Sequence, residues 1–312
     1  MNLLTPDKKL YEAIVKLNTS SIVSILGKSL KKKYDNVIIE EDSDYIIAVG
    51  DIPIALVAHI DTVFQNPPNN IYYDPEAEMV WSPTGGIGDD RVGVFFIMKL
   101  LQQTKLRPYI FLMNDEEFGG LGAQSLIQNY PLCDWNINFF IELDRRGKDD
   151  AVFYNCNNRE FIDFICAYGF KEQIGLFSDI SVICPAWGIA GVNLSVGYEN
   201  EHSVLEMWNV ENGYNTYNKL LNILINEAPF FQYIAAPTTI CDKCGMPIEI
   251  DEMIPVEVDE KNIKWYCINC LDEKNVNWCD DCGEAFIGTG KICRRCQWHN
   301  NEQFKKFKFN KA

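Results

Sequence analysis

The chain has 312 residues, 47% of them hydrophobic and 23% charged, enough for a large core with a second, smaller unit beside it. Its 28 Lys+Arg against 44 Asp+Glu give a formal net charge of -16. That sign opposes wrapping a nucleic-acid backbone or docking on an anionic membrane, so neither partner is expected. No apolar run is long enough to span a bilayer, and the opening segment MNLLTPDKKL lacks the apolar stretch of a secretory signal, so a cytoplasmic protein is expected.

Residues 1–35 read as helical, with Thr5-Pro6 as a start signal and Leu10, Ile14, Val15, Ile22, Val23, Ile25 and Leu26 at helical spacing. From residue 36 short β-rich runs take over, at 37–39, 45–49 and 54–58. The last two are nearly continuous apolar stretches, as in strands covered on both faces. Further strand-like runs fall at 109–113, 137–141, 151–154 and 191–196, with helical segments near 91–103, 121–129, 158–168 and 211–226. This alternation predicts an α/β three-layer sandwich with a central mixed, mostly parallel sheet. Near 227–240, prolines bracket the aromatic run Phe230-Phe231-Gln232-Tyr233, and the cysteine-rich tail begins. The expected division is a catalytic domain over 1–235 and two small zinc-ribbon modules over 236–312.

Five short acidic or histidine-bearing segments stand out, most of them just after a predicted strand: Ala58-His59-Ile60-Asp61, Gly88 to Gly93, Asn114 to Gly120, Glu142-Leu143-Asp144 and Glu199 to His202. Ligands of open α/β sheets gather outside the carboxyl ends of the strands, where these segments would meet. The residue types suit a two-metal hydrolytic centre. A carboxylate can bridge two cations and a neutral imidazole cannot, which makes Asp89 the candidate bridge. His59 with Asp144, and His202 with Glu117, would complete the two ligand sets. Oxygen and nitrogen donors suit Zn²⁺, and Co²⁺ or Mn²⁺ share that preference. The two ions would lie about 3.5–4 Å apart with a water between them. Asp61, two residues from His59 on an extended segment, points the same way and can hold the imidazole tautomer. Glu116, beside the ligand Glu117, is the candidate general base. Arg145 and Arg146 could meet a substrate carboxylate, and Tyr198 an oxyanion, although surface ion pairs and packing are the plainer readings.

These motifs, His59-x-Asp61, Gly88-Asp89-Asp90-Arg91-x-Gly93, Asp115-Glu116-Glu117-x-Gly119-Gly120, Glu142-Leu143-Asp144 and the late His202, resemble in order the series of the co-catalytic di-zinc metallopeptidase clan. That clan includes bacterial di-zinc aminopeptidases, peptidase T and the acetylornithine and succinyl-diaminopimelate deacylases. The resemblance spans roughly residues 36–226. It implies a hydrolase acting on peptide or amide bonds, with a peptide or an acylated amino acid as substrate. The stretch from Asp144 to His202 is too short for the lid domain of peptidase T-like enzymes, and that from Asp61 to Asp89 too short for the extra domain of the large-assembly aminopeptidases. A compact, lidless form is therefore expected. Arg91 departs from the small residue that compact aminopeptidases often carry there.

Eight of the twelve cysteines form four Cys-x-x-Cys pairs: Cys241/Cys244, Cys267/Cys270, Cys279/Cys282 and Cys293/Cys296. Two thiolates on a tight turn grip one side of a tetrahedral zinc, so two sequential Cys₄ ribbons are expected, with a cross-braced pairing as the alternative. Such sites are closed and structural. They let a segment with little core fold, and could also recruit a protein partner. The remaining cysteines, Cys133, Cys156, Cys166 and Cys184, read as small buried hydrophobes. The expected total is two catalytic and two structural zinc ions. The function expected is a metal-dependent aminopeptidase. The alternatives are a deacylase or carboxypeptidase-type amidohydrolase, a glutaminyl-cyclase-like acyl transferase, and a non-catalytic zinc-ribbon scaffold binding a protein partner.

Overall fold

The computed structural model describes residues 5–40, 42, 44–175, 177–249, 254–259, 262–271, 276–278, 285–287 and 291. The chain divides into two compact units, Met1–Ala235 and Ala236–Ala312. In chain order the first contains α1 (Thr5–Val15), α2 (Thr19–Leu30), β1 (Val37–Ile39), β2 (Tyr45–Ala48), β3 (Ile52–His59), β4 (Tyr72–Asp74), β5 (Met79–Trp81), α3 (Arg91–Gln103), β6 (Pro108–Met113) and α4 (Leu121–Asn129). It continues with β7 (Phe139–Arg145), β8 (Asp150–Val152), α5 (Arg159–Cys166), β9 (Lys171–Gln173), α6 (Asp179–Trp187), β10 (Gly191–Ser195), β11 (Tyr198–Glu199), β12 (Met207–Asn209) and α7 (Val210–Ile225).

Eight strands form the main sheet in the order β1-β2-β6-β3-β7-β10-β8-β9. Its centre, β6-β3-β7-β10, is parallel, while β1, β2 and β8 add antiparallel pairings. Side-chain alternation along the central strands builds two cores. Ile54, Leu56 and Ala58 of β3 and Phe139, Ile141 and Leu143 of β7 face the larger one, which takes in α1, α2, α3, α5 and α7. Ala55, Val57 and Phe140 face the other, against α4 and α6. Strands buried on both faces explain their unbroken apolar sequence. This is the three-layer α/β sandwich the sequence predicts.

Helix α3 starts where Asp90 caps it, accepting the Gly93 N–H at 2.9 Å. It lies so close to the sheet that a Cβ at Gly93 would sit 2.3 Å from the Leu143 carbonyl oxygen. Of the helical segment expected over 1–35, residues 1–4 lie outside the described residues, and the rest holds two helices: α1 stops at Val15, and Asn18 caps α2 by accepting the Ser21 N–H at 3.0 Å. Helix α6, which contains Pro185, and the small antiparallel sheet β11-β12-β5-β4 are not visible in the hydrophobic pattern. The stretch between Asp144 and His202 builds β8 to β11 and two helices rather than a separate lid. Phe231 is buried against Phe139, Phe161 and Phe164, with ring centroids 5.1–5.8 Å apart, so the aromatic run belongs to the first unit. Among the described residues no helix is long and apolar enough to cross a membrane.

The second unit contains β13 (Thr238–Ile240) paired with β14 (Pro247–Glu249), then β15 (Ile254–Asp259), β16 (Asn262–Tyr266), α8 (Ile268–Leu271), β17 (Val276–Trp278) and β18 (Ala285–Ile287). The last four strands form a sheet in the order β16-β15-β18-β17.

A buried polar knot ties α1 to α3 and α7. Asp7 accepts from Lys99 Nζ at 2.6 Å, from the Tyr214 hydroxyl at 2.6 Å and from Gln103 at 2.7 Å. Burial alone would raise the Asp7 pKa, but these donors overcome it and hold the carboxyl below its usual value. Its stabilisation is therefore present above the unfolded carboxylate pKa and is lost as pH falls through the lower folded value. Asp7→Asn should cost about 3–5 kcal/mol by leaving the Lys99 ammonium buried and unpaired. Denaturant melts at pH 7 check this, and a loss under about 1 kcal/mol would contradict it.

Candidate metal centre

The parallel strands deliver the predicted residues to one end of the sheet. His59 is the last residue of β3, Asp144 lies near the end of β7, and Glu116 and Glu117 follow β6. Asp89 sits just before α3, and His202 in the turn between β11 and β12. Asp115 and His202 both take left-handed backbone conformations, with φ of 56° and 60°, so both turns are tighter than L-residues prefer.

Asp89 stands between the two histidines. His59 Nε2 is 2.8 Å from Asp89 Oδ1, and His202 Nε2 is 3.0 Å from Asp89 Oδ2. Asp144 Oδ1 is 3.5 Å from His59 Nε2, and Glu117 Oε2 is 3.0 Å from His202 Nε2. Two donor sets result, His59/Asp89/Asp144 and Asp89/Glu117/His202, each with its ligand atoms within 4.8 Å of one another. On the far side of the imidazole, Asp61 Oδ1 is 3.2 Å from His59 Nδ1. Asp61 also accepts the N–H groups of Glu116 and Glu117, at 3.2 and 3.1 Å, which joins the β3 end to the turn after β6. Arg91, the departure from the familiar motif, is buried and donates to the Ile60 carbonyl at 2.7 Å, so it braces the same segment.

Other neighbours were not read from the sequence in these roles. The Tyr198 hydroxyl donates to Asp144 Oδ1 at 3.0 Å, so it meets a carboxylate of the site as well as packing. The Asn193 side chain brackets the Asp144 peptide, accepting its N–H and donating to its carbonyl, both at 2.9 Å. Glu142 and Asp179 are fully buried, and Ser178 Oγ donates to Glu142. Arg146 makes an exposed ion pair with Glu201 at 2.8 Å, and Arg145 donates to the Ile174 carbonyl.

This crowd of carboxylates shapes the electrostatics. Burial pushes the Glu116 pKa up to about 8, with Asp144, Asp89 and Glu117 adding repulsion against the pull of His59. Burial and Asp89 push Asp144 up to about 7. The His202 ring is raised to about 9, chiefly by its hydrogen bond to Asp89. Burial works against a charged His59, yet Asp144, Asp61 and Asp89 hold its pKa well above the usual value. Glu117 Oε1 is buried with no hydrogen-bond partner among the described residues. Carboxylates held partly protonated, two imidazoles and an orphaned oxygen make a donor set that fits a pair of divalent cations.

In the second unit Cys241, Cys244, Cys267 and Cys270 lie together, so the first Cys-x-x-Cys pair faces the second. Burial opposes ionisation of the Cys241 thiol, but N–H groups of Cys244, Cys267 and Lys243 draw its pKa down to about 6. That favours the thiolate a metal needs. Cys279, Cys282, Cys293 and Cys296 lie outside the described residues.

Residues 37–163 match the sequence profile of Peptidase family M28. A search of curated proteins finds no significant match. Among solved structures, the chain is similar in fold to aminopeptidase PepT from Bacillus cereus at 15% identity and a TM-score of 0.56, covering 70% of this chain and 98% of that one. It is similar also to a tripeptidase from Staphylococcus aureus at 14% identity and a TM-score of 0.57, covering 72% and 98%. An aminopeptidase from the archaeon Desulfurococcus kamchatkensis gives 14% identity and a TM-score of 0.54, covering 72% and 95%. At these identities the structural likeness speaks for the fold, and the family match speaks for the chemistry. Together they make the first unit a metallopeptidase domain. Its profile match is to family M28, and it ends before α6 and the His202 turn.

Cations entering this site must displace the protons that His202, Asp144 and His59 hold. Zinc affinity should therefore rise as pH goes from 6 to 9, with protons released on binding. Calorimetry in two buffers of different ionisation enthalpy measures both, taken as the difference between the full chain and its His59→Ala/His202→Ala variant. A pH-independent difference without proton release would contradict the assignment.

Proposed function

We propose that this chain is a zinc-dependent aminopeptidase with a two-ion centre, and that the second unit adds structural Cys₄ zinc. The observation that carries the reading is the placement of Asp89, whose two carboxylate oxygens each face a different histidine. His59, Asp89 and Asp144 would hold one ion, and Asp89, Glu117 and His202 the other. Cys241, Cys244, Cys267 and Cys270 would hold a closed structural ion in the second unit, and the two later cysteine pairs a further one. Bound zinc supplies an acidified water and polarises the carbonyl of the bond to be cut.

The protein's own groups then divide the work. Asp61 takes the Nδ1 proton of His59 in a hydrogen bond and keeps the lone pair of Nε2 directed toward Asp89 and Asp144. Glu117 is committed to His202, which leaves the neighbouring Glu116 to handle protons. With its pKa raised to about 8, Glu116 is basic enough to accept a proton from water and acidic enough to return it to a leaving amine. Bound cations would lower that value. The Tyr198 hydroxyl and Asn193 hold Asp144 in orientation. Bacillus cereus aminopeptidase PepT and the Staphylococcus aureus tripeptidase share the fold, and their activities support a free peptide N-terminus as the substrate feature.

Glu116→Gln keeps size and hydrogen bonding but cannot accept a proton. Turnover of an aminoacyl amide should fall about 10²–10⁴-fold with zinc content unchanged. Glu117→Gln should instead lower zinc content. Steady-state kinetics with metal analysis on the same preparations decides this, and the opposite pattern would reverse the roles of the two glutamates.

A further inference from the structure

Glu206 lies four residues beyond His202, at the entrance to β12, and it is fully buried. Its carboxylate reaches back to the loop in front of α3. Oε2 accepts the Ile87 N–H at 2.7 Å, and Oε1 accepts the Asp89 N–H at 3.0 Å. The loop is pressed against this carboxylate. A Cβ at Gly88 would lie 2.6 Å from the Tyr198 Cβ and 3.1 Å from Glu206 Oε1, so only glycine fits between them. The turn that presents Glu206 is itself closed, with the Glu206 N–H on the Ser203 carbonyl at 3.1 Å and Ser203 Oγ on the Asn200 carbonyl at 2.7 Å. His202 sits inside that turn.

One carboxylate thus fixes the peptide of Asp89 to the turn that carries His202. Asp89 must aim two oxygens in two directions at once. A small rotation of its backbone would move both oxygens away from their histidines together. We propose that Glu206 is a positioning residue for the bridging carboxylate, and that its clamp on the Ile87 and Asp89 N–H groups sets the affinity for the pair of metal ions. This inference rests on the two-ion reading above. A carboxylate suits the position because both of its oxygens accept, and two backbone donors converge on it.

The test uses Glu206→Gln and Glu206→Asp in the full chain, with zinc ions as the probe. The catalytic ions are those that the His59→Ala/His202→Ala variant does not bind. Gln turns one acceptor into an NH₂ group facing an N–H, so one clamp bond is lost. The free zinc that half-fills the catalytic site, set by chelator buffers, should rise about 10–100-fold in Glu206→Gln. Turnover should return to within about a few-fold of wild type at saturating zinc, since the ligands themselves remain. Glu206→Asp keeps two acceptors but withdraws them, and should fall between the two. A purely structural role would lower the melting temperature of the metal-free chain and leave the zinc curve of the folded protein in place. That outcome overturns the inference, as does a curve superimposable on wild type. If Glu206→Gln does not fold, Glu206→Asp decides by the same reading. A wild-type chain with no more zinc than the double-histidine variant overturns the two-ion reading and this inference with it. A wild-type chain that binds both ions beside unaffected Glu206 variants overturns this inference alone.

Discussion

Gathering ionised carboxylates in a buried space costs several kcal/mol for each charge, unless cations or protons meet them. At the carboxyl end of β3, β6 and β7 this cost dominates. Asp61, Asp89, Asp90, Glu142, Asp179 and Glu206 are all buried there, beside Glu116, Glu117 and Asp144. The two histidines and Arg91 do not balance them. The strain shows in the raised pKa values of Glu116 and Asp144, in the proton-holding histidines and in oxygens of Glu117, Glu142 and Asp179 that have no hydrogen-bond partner among the described residues. A pair of divalent ions held by His59, Asp89, Asp144, Glu117 and His202, as proposed above, would offset the repulsion among Asp89, Asp144 and Glu117 and give the Glu117 oxygen a partner.

The rest of the first unit serves to hold that crowd in place. Parallel strands end at the same level, so residues distant in sequence arrive together without long loops. The approach of α3 to β7, allowed by Gly93, brings the Asp89 loop against the Asp144 strand. The small sheet β11-β12-β5-β4 brings His202 in from the last third of the unit. Asp61 links the β3 and β6 ends through two N–H bonds, and Asn193 links β10 to β7 around Asp144. Asp144 is thus held from β10, Asp89 from the turn before β12, and the Glu116-Glu117 turn from the end of β3, so three of the candidate ligand positions are braced by a different element.

Much of this was legible in the sequence, for physical reasons that differ by element. Strands β2, β3 and β6 are buried on both faces, so their apolar runs announced them, and α3 falls on the helical segment expected near 91–103. The segments containing His59, Asp89, Glu116 and Glu117, and Asp144 stood out together and in their order along the chain, most of them just beyond apolar strands, and not as isolated residues. What stayed hidden depends on tertiary contact. The three-residue strands β4, β5 and β12 lack the length to show a period, and α6 is obscured by Pro185 within it. The break at Asn18 is a single capping residue inside a run of helical spacing. Glu206 looked like one acid among many, and only the fold reveals that its oxygens meet the backbone of Asp89. Tyr198 was read first as packing, and its hydroxyl contact with Asp144 could not be inferred from an alternating pattern.

The most direct test of the account is to crystallise the zinc-loaded chain and collect anomalous diffraction on both sides of the zinc edge. Two zinc peaks should appear at the end of the main sheet, one beside His59 and Asp144 and one beside His202 and Glu117, with the Asp89 carboxylate between them. A zinc-loaded crystal with peaks only among the cysteines, and none at Asp89, would contradict the account.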